Sequence, residues 1–160
     1  MTRVEHRSGD TGHQTPPEIL ALVRQIDAIG LDPASSQGNP TKARVHLYPP
    51  KHDGLACSWT HSGLVFCNPP YSRAANREWP RKIAKEGRDG AEIIALVAVR
   101  TGSSWWKHMW EADRICFVAG RVRFVGSQTG APFDSALCYW GPRSSEFCKA
   151  MKQLGRVIRP

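Results

Sequence analysis

Residues Ala91 to Val99, AEIIALVAV, are apolar almost throughout and rich in β-branched side chains. A short continuous run of this kind, entered from Gly90 and left at Arg100, reads as a strand covered on both faces. GLVFC, ending at Cys67, has the same character. Strands buried on both sides need a layer above and a layer below, so the rest of the chain must supply amphipathic helices.

It does so at several places. In TPPEILALVRQIDAIG, Thr15 is a candidate N-cap with Pro16 at the first helical position, and Glu18 completes a capping box. Ile19, Leu22, Val23, Ile26 and Ile29 share one helical face, and Gly30 ends the helix. A second helix is predicted from after Tyr71 to about Glu86, with Trp79, Ile83 and Ala84 inward; Pro80 argues against it. A third, in TGSSWWKHMWEA, starts at Ser103 or Ser104, and a fourth runs from Ser144 to Leu154. Short strands are predicted at Gly30 to Leu31 and at Val45 to Tyr48. RICFVAGRVRFVG reads as a hairpin around Ala119 and Gly120, and SALCYW as one more strand. The order predicts a three-layer α/β domain with a mostly parallel sheet and an antiparallel edge. Residues 14–160 are expected to form this single domain, behind a flexible tail over residues 1–13.

The chain has 160 residues, of which 41% are hydrophobic and 22% charged. That is the balance of a soluble globular protein, and no apolar run approaches the ~20 residues of a membrane span. The polar start, MTRVEHRSGDTGHQ, has no apolar signal core, and the five cysteines are widely spaced. Together these predict reduced thiols in a cytoplasmic protein. The six histidines fall in no H-E-x-x-H or other metal spacing, so no metal is expected. A net charge of +8 favours a polyanionic partner, because Lys and Arg that neutralise phosphates release condensed counterions.

The strand ending at Cys67 exits into Asn68-Pro69-Pro70-Tyr71. In open α/β sheets, ligands bind outside the carboxyl ends of the strands. Two consecutive prolines remove two donors and fix two φ angles, so the Asn68 amide and the neighbouring carbonyls are held as rigid acceptors. Tyr71 adds a flat face for a planar ligand. An exocyclic amine could give one hydrogen to the Asn68 oxygen and one to the Pro69 carbonyl, which would draw its lone pair out of ring conjugation.

NPPYS, Asn68 to Ser72, resembles the catalytic [DN]-P-P-[YFW] motif of S-adenosylmethionine-dependent amino methyltransferases. TPPEIL, GLDPASS, the HDGL segment with Trp59, VFCNPPYS, VRTGSSWW, AGRVRF and APFDSAL extend the resemblance. In this order they are similar to the phage-type DNA N6-adenine methyltransferases, the small Dam-like family of phages and prophages. Ala34, Gly102 and Asp134 depart from that pattern, standing where cysteine, aspartate and proline are usual. The resemblance implies a Rossmann-like class I methyltransferase fold that moves a methyl group from S-adenosylmethionine to the N6 amine of adenine in DNA. The base would be flipped out of the duplex or met single-stranded.

Asn68, Pro69, Pro70 and Tyr71 then form the catalytic corner. No G-x-G loop follows the first strand, so the resemblance assigns the cofactor to Thr15, Pro16, Asp32, Pro33 and Asp53 as well as Asn68. Ser72, Arg100, Lys107, Arg121 and Arg123 are the candidate DNA contacts. Trp105, Trp106 and Trp110 are read as part core and part surface. Two other classes share the motif or the charge: a glutamine-amide protein methyltransferase, whose substrate offers the same two amide hydrogens, and a non-catalytic DNA-binding relative.

Overall fold

A computed structural model describes residues 13–160. All but the last residue of the expected tail lies outside the described residues. The elements run α1 (Pro17–Arg24), β1 (Ile29–Asp32), β2 (Val45–His46), β3 (Leu64–Cys67), α2 (Ala75–Arg88) and β4 (Glu92–Ala98). A 3-10 helix (Ser104–Glu111), β5 (Arg114–Val118), β6 (Ser135–Trp140), α3 (Ser144–Met151) and β7 (Gly155–Ile158) follow.

The strands form one seven-stranded sheet in the order β2-β1-β3-β4-β6-β5-β7. β2, β1, β3 and β4 are parallel neighbours, whereas β4–β6, β6–β5 and β5–β7 are antiparallel. β1 to β5 therefore point one way, and β6 and β7 point back. The antiparallel part is wider than the expected edge: it takes in β6, β5 and β7, with the SALCYW strand, β6, inside the sheet and β7 outermost. All six β6 residues are buried, as suits a strand with neighbours on both edges.

Alternation along the strands divides the core into two layers. Leu64, Phe66, Ile94, Leu96 and Leu137 face α1 and α3, where Ile19, Leu20, Val23, Phe147 and Met151 meet them. Val65, Cys67, Ile93, Ala95 and Cys138 face α2 and the 3-10 helix, against Trp79, Ile83, Trp106 and Met109. α2 spans the predicted segment despite Pro80. The ring removes one helical hydrogen bond, and burial of Trp79, Ile83 and Ala84 offsets that loss.

Several expectations change. α1 begins at Pro17 rather than at the Thr15 cap, its N-cap position is Pro16, and no side chain caps it. Ile29 and Gly30 belong to β1. Gly30 does not end a helix: a Cβ there would lie 1.9 Å from the Ser62 carbonyl oxygen, so glycine lets β1 approach the entry to β3. The Trp-rich segment is a 3-10 helix with Ser103 at its N-cap position, again without a side-chain cap. The hairpin after Ala119 does not form. β5 has β6 on one edge and β7 on the other, which leaves no edge for residues 121–125. Val122 and Phe124 are buried instead, and Val125 bridges to Gln14. β7 itself has no predicted counterpart. All five cysteines are free; Cys67, Cys116 and Cys138 are buried, and burial raises each of these thiols, Cys116 to about 11.

Candidate active site

Because β5 points the same way as β1, β3 and β4, the ends of all four strands and the start of β6 share one edge of the sheet. The long connection from Ala119 to Asp134 therefore returns to the edge where Asn68 emerges. It brings Phe124 and Phe133 to Tyr71.

Asn68 follows the fully buried end of β3. Its Nδ2 donates to the His13 carbonyl at 2.7 Å and to Thr15 Oγ1 at 3.0 Å. Its Oδ1 accepts from the Tyr71 hydroxyl at 2.8 Å, and the same hydroxyl lies 3.2 Å from the Leu96 carbonyl on β4. Pro69 is buried and Pro70 half-buried. Among the described residues nothing donates to the Pro69 carbonyl, the next acceptor along the chain after Asn68.

Tyr71 does not stand as an open stacking face. Its ring is 5.0 Å from the His13 ring, 5.1 Å from Phe133 and 6.1 Å from Phe124, centroid to centroid. The Arg100 guanidinium lies at the rim of this group, 5.9 Å from the Phe133 centroid. Burial pushes the Tyr71 hydroxyl far above the usual phenol range, so it stays a hydrogen-bond donor at neutral pH.

The cofactor candidates separate into different roles. Thr15 is buried and holds Asn68 rather than capping α1. The Pro16 carbonyl accepts the N–H groups of Ile19 and Leu20 at the start of α1. Asp32, at the end of β1, accepts from the Ala34 N–H at 3.1 Å and from the Thr41 hydroxyl at 2.7 Å, so both oxygens hold its own loop. Burial raises its pKa, against the pull of the Thr41 hydrogen bond. Asp53 is exposed; one oxygen accepts from the Leu55 N–H at 2.9 Å, and the other has no partner among the described residues.

Gly54 brings the Asp53 loop against Pro33: a Cβ there would sit 1.9 Å from the Pro33 carbonyl oxygen. Trp59 secures this loop by donating its indole N–H to the Gly54 carbonyl at 2.9 Å. Beneath it, the buried Glu86 carboxylate accepts from the Trp59 main-chain N–H at 2.8 Å and from Lys82 at 2.6 Å. Nearby, His46, Tyr48 and His52 form a run of ring contacts, with His52 Nδ1 buried and without a partner among the described residues.

The DNA candidates are also not equivalent. Ser72 accepts the N–H of Ala75 at 3.1 Å and so shapes the entry to α2, where Arg73, Ala74 and Arg77 line an open depression. Arg121 pairs with Asp134 at 3.0 Å and donates to the Ala131 carbonyl at 3.3 Å. Arg123 and Lys107 are exposed and make no such pair among the described residues. Lys107 rides on the 3-10 helix, whose Trp106 is fully buried while Trp110 is 44% exposed. Glu86, Thr41 and His13 complete the site without any local sequence signal, whereas Phe124 and Phe133 lie in the AGRVRF and APFDSAL segments of the resemblance.

A family model described as DNA N-6-adenine-methyltransferase (Dam) matches residues 2–138. The chain belongs to this family. No curated protein matches it. Membership makes it an adenine-specific DNA methyltransferase, a class that draws its methyl group from S-adenosylmethionine in general and takes DNA as substrate. The donors that cofactor offers, an ammonium, ribose hydroxyls and an adenine amine, suit an acceptor set. The Asp53 oxygen that has no partner among the described residues fits that demand. Among the described residues of this Dam-family chain, no helix is long and apolar enough to cross a membrane, and no group of three or more His, Cys, Asp or Glu could hold a metal.

Proposed function

We propose that this chain transfers a methyl group from S-adenosylmethionine to the N6 amine of an adenine in DNA, with Asn68 and Pro69 holding the amine. The observation that carries the reading is the set of acceptors at the end of β3. The Asn68 oxygen faces away from its two hydrogen-bond acceptors, and a free Pro69 carbonyl lies next in the chain on a proline-stiffened backbone. The parallel run from β2 to β4 with reversed β6 beside it supports a Rossmann-like class I methyltransferase fold. One seven-stranded sheet spanning residues 29–158 supports a single domain.

The bound cofactor would supply an electrophilic methyl on a sulfonium, and the residues around Pro33 and Asp53 are the ones assigned to hold it. The chain's own work is alignment and charge. Asn68 Oδ1 and the Pro69 carbonyl each take one amine hydrogen, which draws the nitrogen lone pair out of the ring and favours the positive charge that develops on nitrogen. Tyr71, kept protonated by burial, orients Oδ1 and does not act as a base. The surplus proton leaves the methylated nitrogen for solvent. Extruding the base costs a few kcal/mol, which contacts along the duplex offset.

The test is transfer of labelled methyl to adenine-containing DNA, with RNA and protein as alternative acceptors. Asn68→Ala is expected to lower kcat by about two orders of magnitude or more, the scale of losing one aligned polar contact in a transition state. Full activity of that variant, or transfer to protein glutamine alone, would overturn the proposal.

A further inference from the structure

The side chain of Asn68 carries one acceptor oxygen and two N–H donors on a planar group, and a half-turn of the amide exchanges them. Only one orientation can hold an amine. We propose that Thr15, together with the His13 main-chain carbonyl, is the positioning element that locks the Asn68 amide with its oxygen toward the substrate, and thereby makes the corner select an amine over a carbonyl. This rests on the reading of Asn68 as the group that holds the amine.

The chemistry of the neighbours fixes the orientation. A peptide carbonyl can only accept, so the Asn68 atom 2.7 Å from the His13 oxygen must carry hydrogen. Thr15 Oγ1, at 3.0 Å, takes the second hydrogen. Turned over, the amide would set oxygen against oxygen at His13 and forfeit that bond. Thr15 is 4% exposed, so water does not replace its hydroxyl. Its own position is fixed by the next residue: the Pro16 carbonyl accepts from Ile19 and Leu20 at 3.1 and 3.3 Å, and those two residues are buried in the core. Helix α1 is thus the rigid support, and Thr15 the contact that passes its position to Asn68.

The corner also has a way to admit the amine. The Tyr71 hydroxyl has one hydrogen and two acceptors in reach, Asn68 Oδ1 at 2.8 Å and the Leu96 carbonyl at 3.2 Å. Oδ1 has two lone pairs, so the Tyr71 hydroxyl at 2.8 Å takes one and leaves the other for the amine while the ring stays packed.

Thr15→Val keeps the branched shape and removes the acceptor. Its kcat is expected to fall about tenfold, the worth of one hydrogen bond, with KM for S-adenosylmethionine and for DNA unchanged. Thr15→Ser, which returns the hydroxyl, is expected to restore most of that loss. In nuclear magnetic resonance spectra, the Asn68 side-chain amide signals, identified by their absence from Asn68→Ala, are expected to be slow to exchange with solvent. They should shift in Thr15→Val and not in Thr15→Ser. An unchanged kcat in Thr15→Val beside an inactive Asn68→Ala would overturn the positioning role alone. A loss confined to cofactor KM would make Thr15 a cofactor contact instead. Rapid solvent exchange of the Asn68 amide in the unaltered protein would refute the lock without any variant, and an active Asn68→Ala would refute the underlying reading of the corner.

Discussion

Asn68 and Asp32 stand at the ends of neighbouring strands, and their surroundings treat them differently. Asn68 keeps an oxygen that a ligand can share, whereas both oxygens of Asp32 are bound within its own loop. Asp32 is 3% exposed, and burial raises its native pKa above the ordinary 3.8. The native state therefore binds the Asp32 proton more tightly than the unfolded chain does. The stability this contributes is complete below the unfolded value and is lost as pH rises through the native one. Asp32→Asn removes the titration while keeping one acceptor. Its melting temperature is expected to gain on the unaltered protein as pH rises above about 4, as read by thermal unfolding across a pH series. A difference that shrinks with pH would count against a buried, reluctantly ionised carboxylate. NPPY could be read at this scale because its parts are contiguous. Thr15 was misread as a cap, since a Thr followed three residues later by Glu carries the same pattern whichever partner the hydroxyl finds. His13, Phe124 and Phe133 reach Tyr71 only through tertiary folding, and no spacing in the sequence records that.

Among the elements, the long buried strands were legible because continuous β-branched runs leave few alternatives, and α2 was legible through Trp79 and Ile83. β7 and the failed hairpin were not. Both turn on which edges of β5 are free, and that is settled by strands distant in sequence. The Asp53 loop is a similar case: its attachment depends on Glu86, a carboxylate 3% exposed inside α2. Glu86 holds the Trp59 N–H and Lys82, and Lys82 also donates to the Cys57 carbonyl at 2.6 Å. Glu86→Ala leaves a buried N–H without its acceptor and a largely buried ammonium without its counter-charge. The expected cost is about 3 kcal/mol in urea unfolding at unchanged m-value, the scale for breaking a buried pair. It should also weaken S-adenosylmethionine binding by calorimetry, since the same contact seats the loop against Pro33. Intact cofactor affinity in the destabilised variant would separate the loop from the cofactor site.

For the molecule as a whole, the +8 charge sets how DNA binding responds to salt. Arg123 is exposed and unpaired among the described residues, while Arg121 already faces Asp134. Arg123→Ser is expected to flatten the slope of log affinity against log salt by about one, as one phosphate contact would. Arg121→Ser should flatten it less; equal effects would show that the Asp134 pair does not hold in the complex. The connection that carries both arginines has one more property. Ala131 donates to the Val122 carbonyl at 2.8 Å, and Ser127 donates to that of Phe124 at 3.0 Å, so the loop is tied shut at its base with a small turn at its tip. Gln128 and Thr129 lie exposed beyond that closure, while Phe124 and Phe133 stay anchored beside Tyr71. In engineering terms the tip is a socket: a segment inserted at Gln128 need match only two stems already held in place, and it would stand beside the corner without passing through the core.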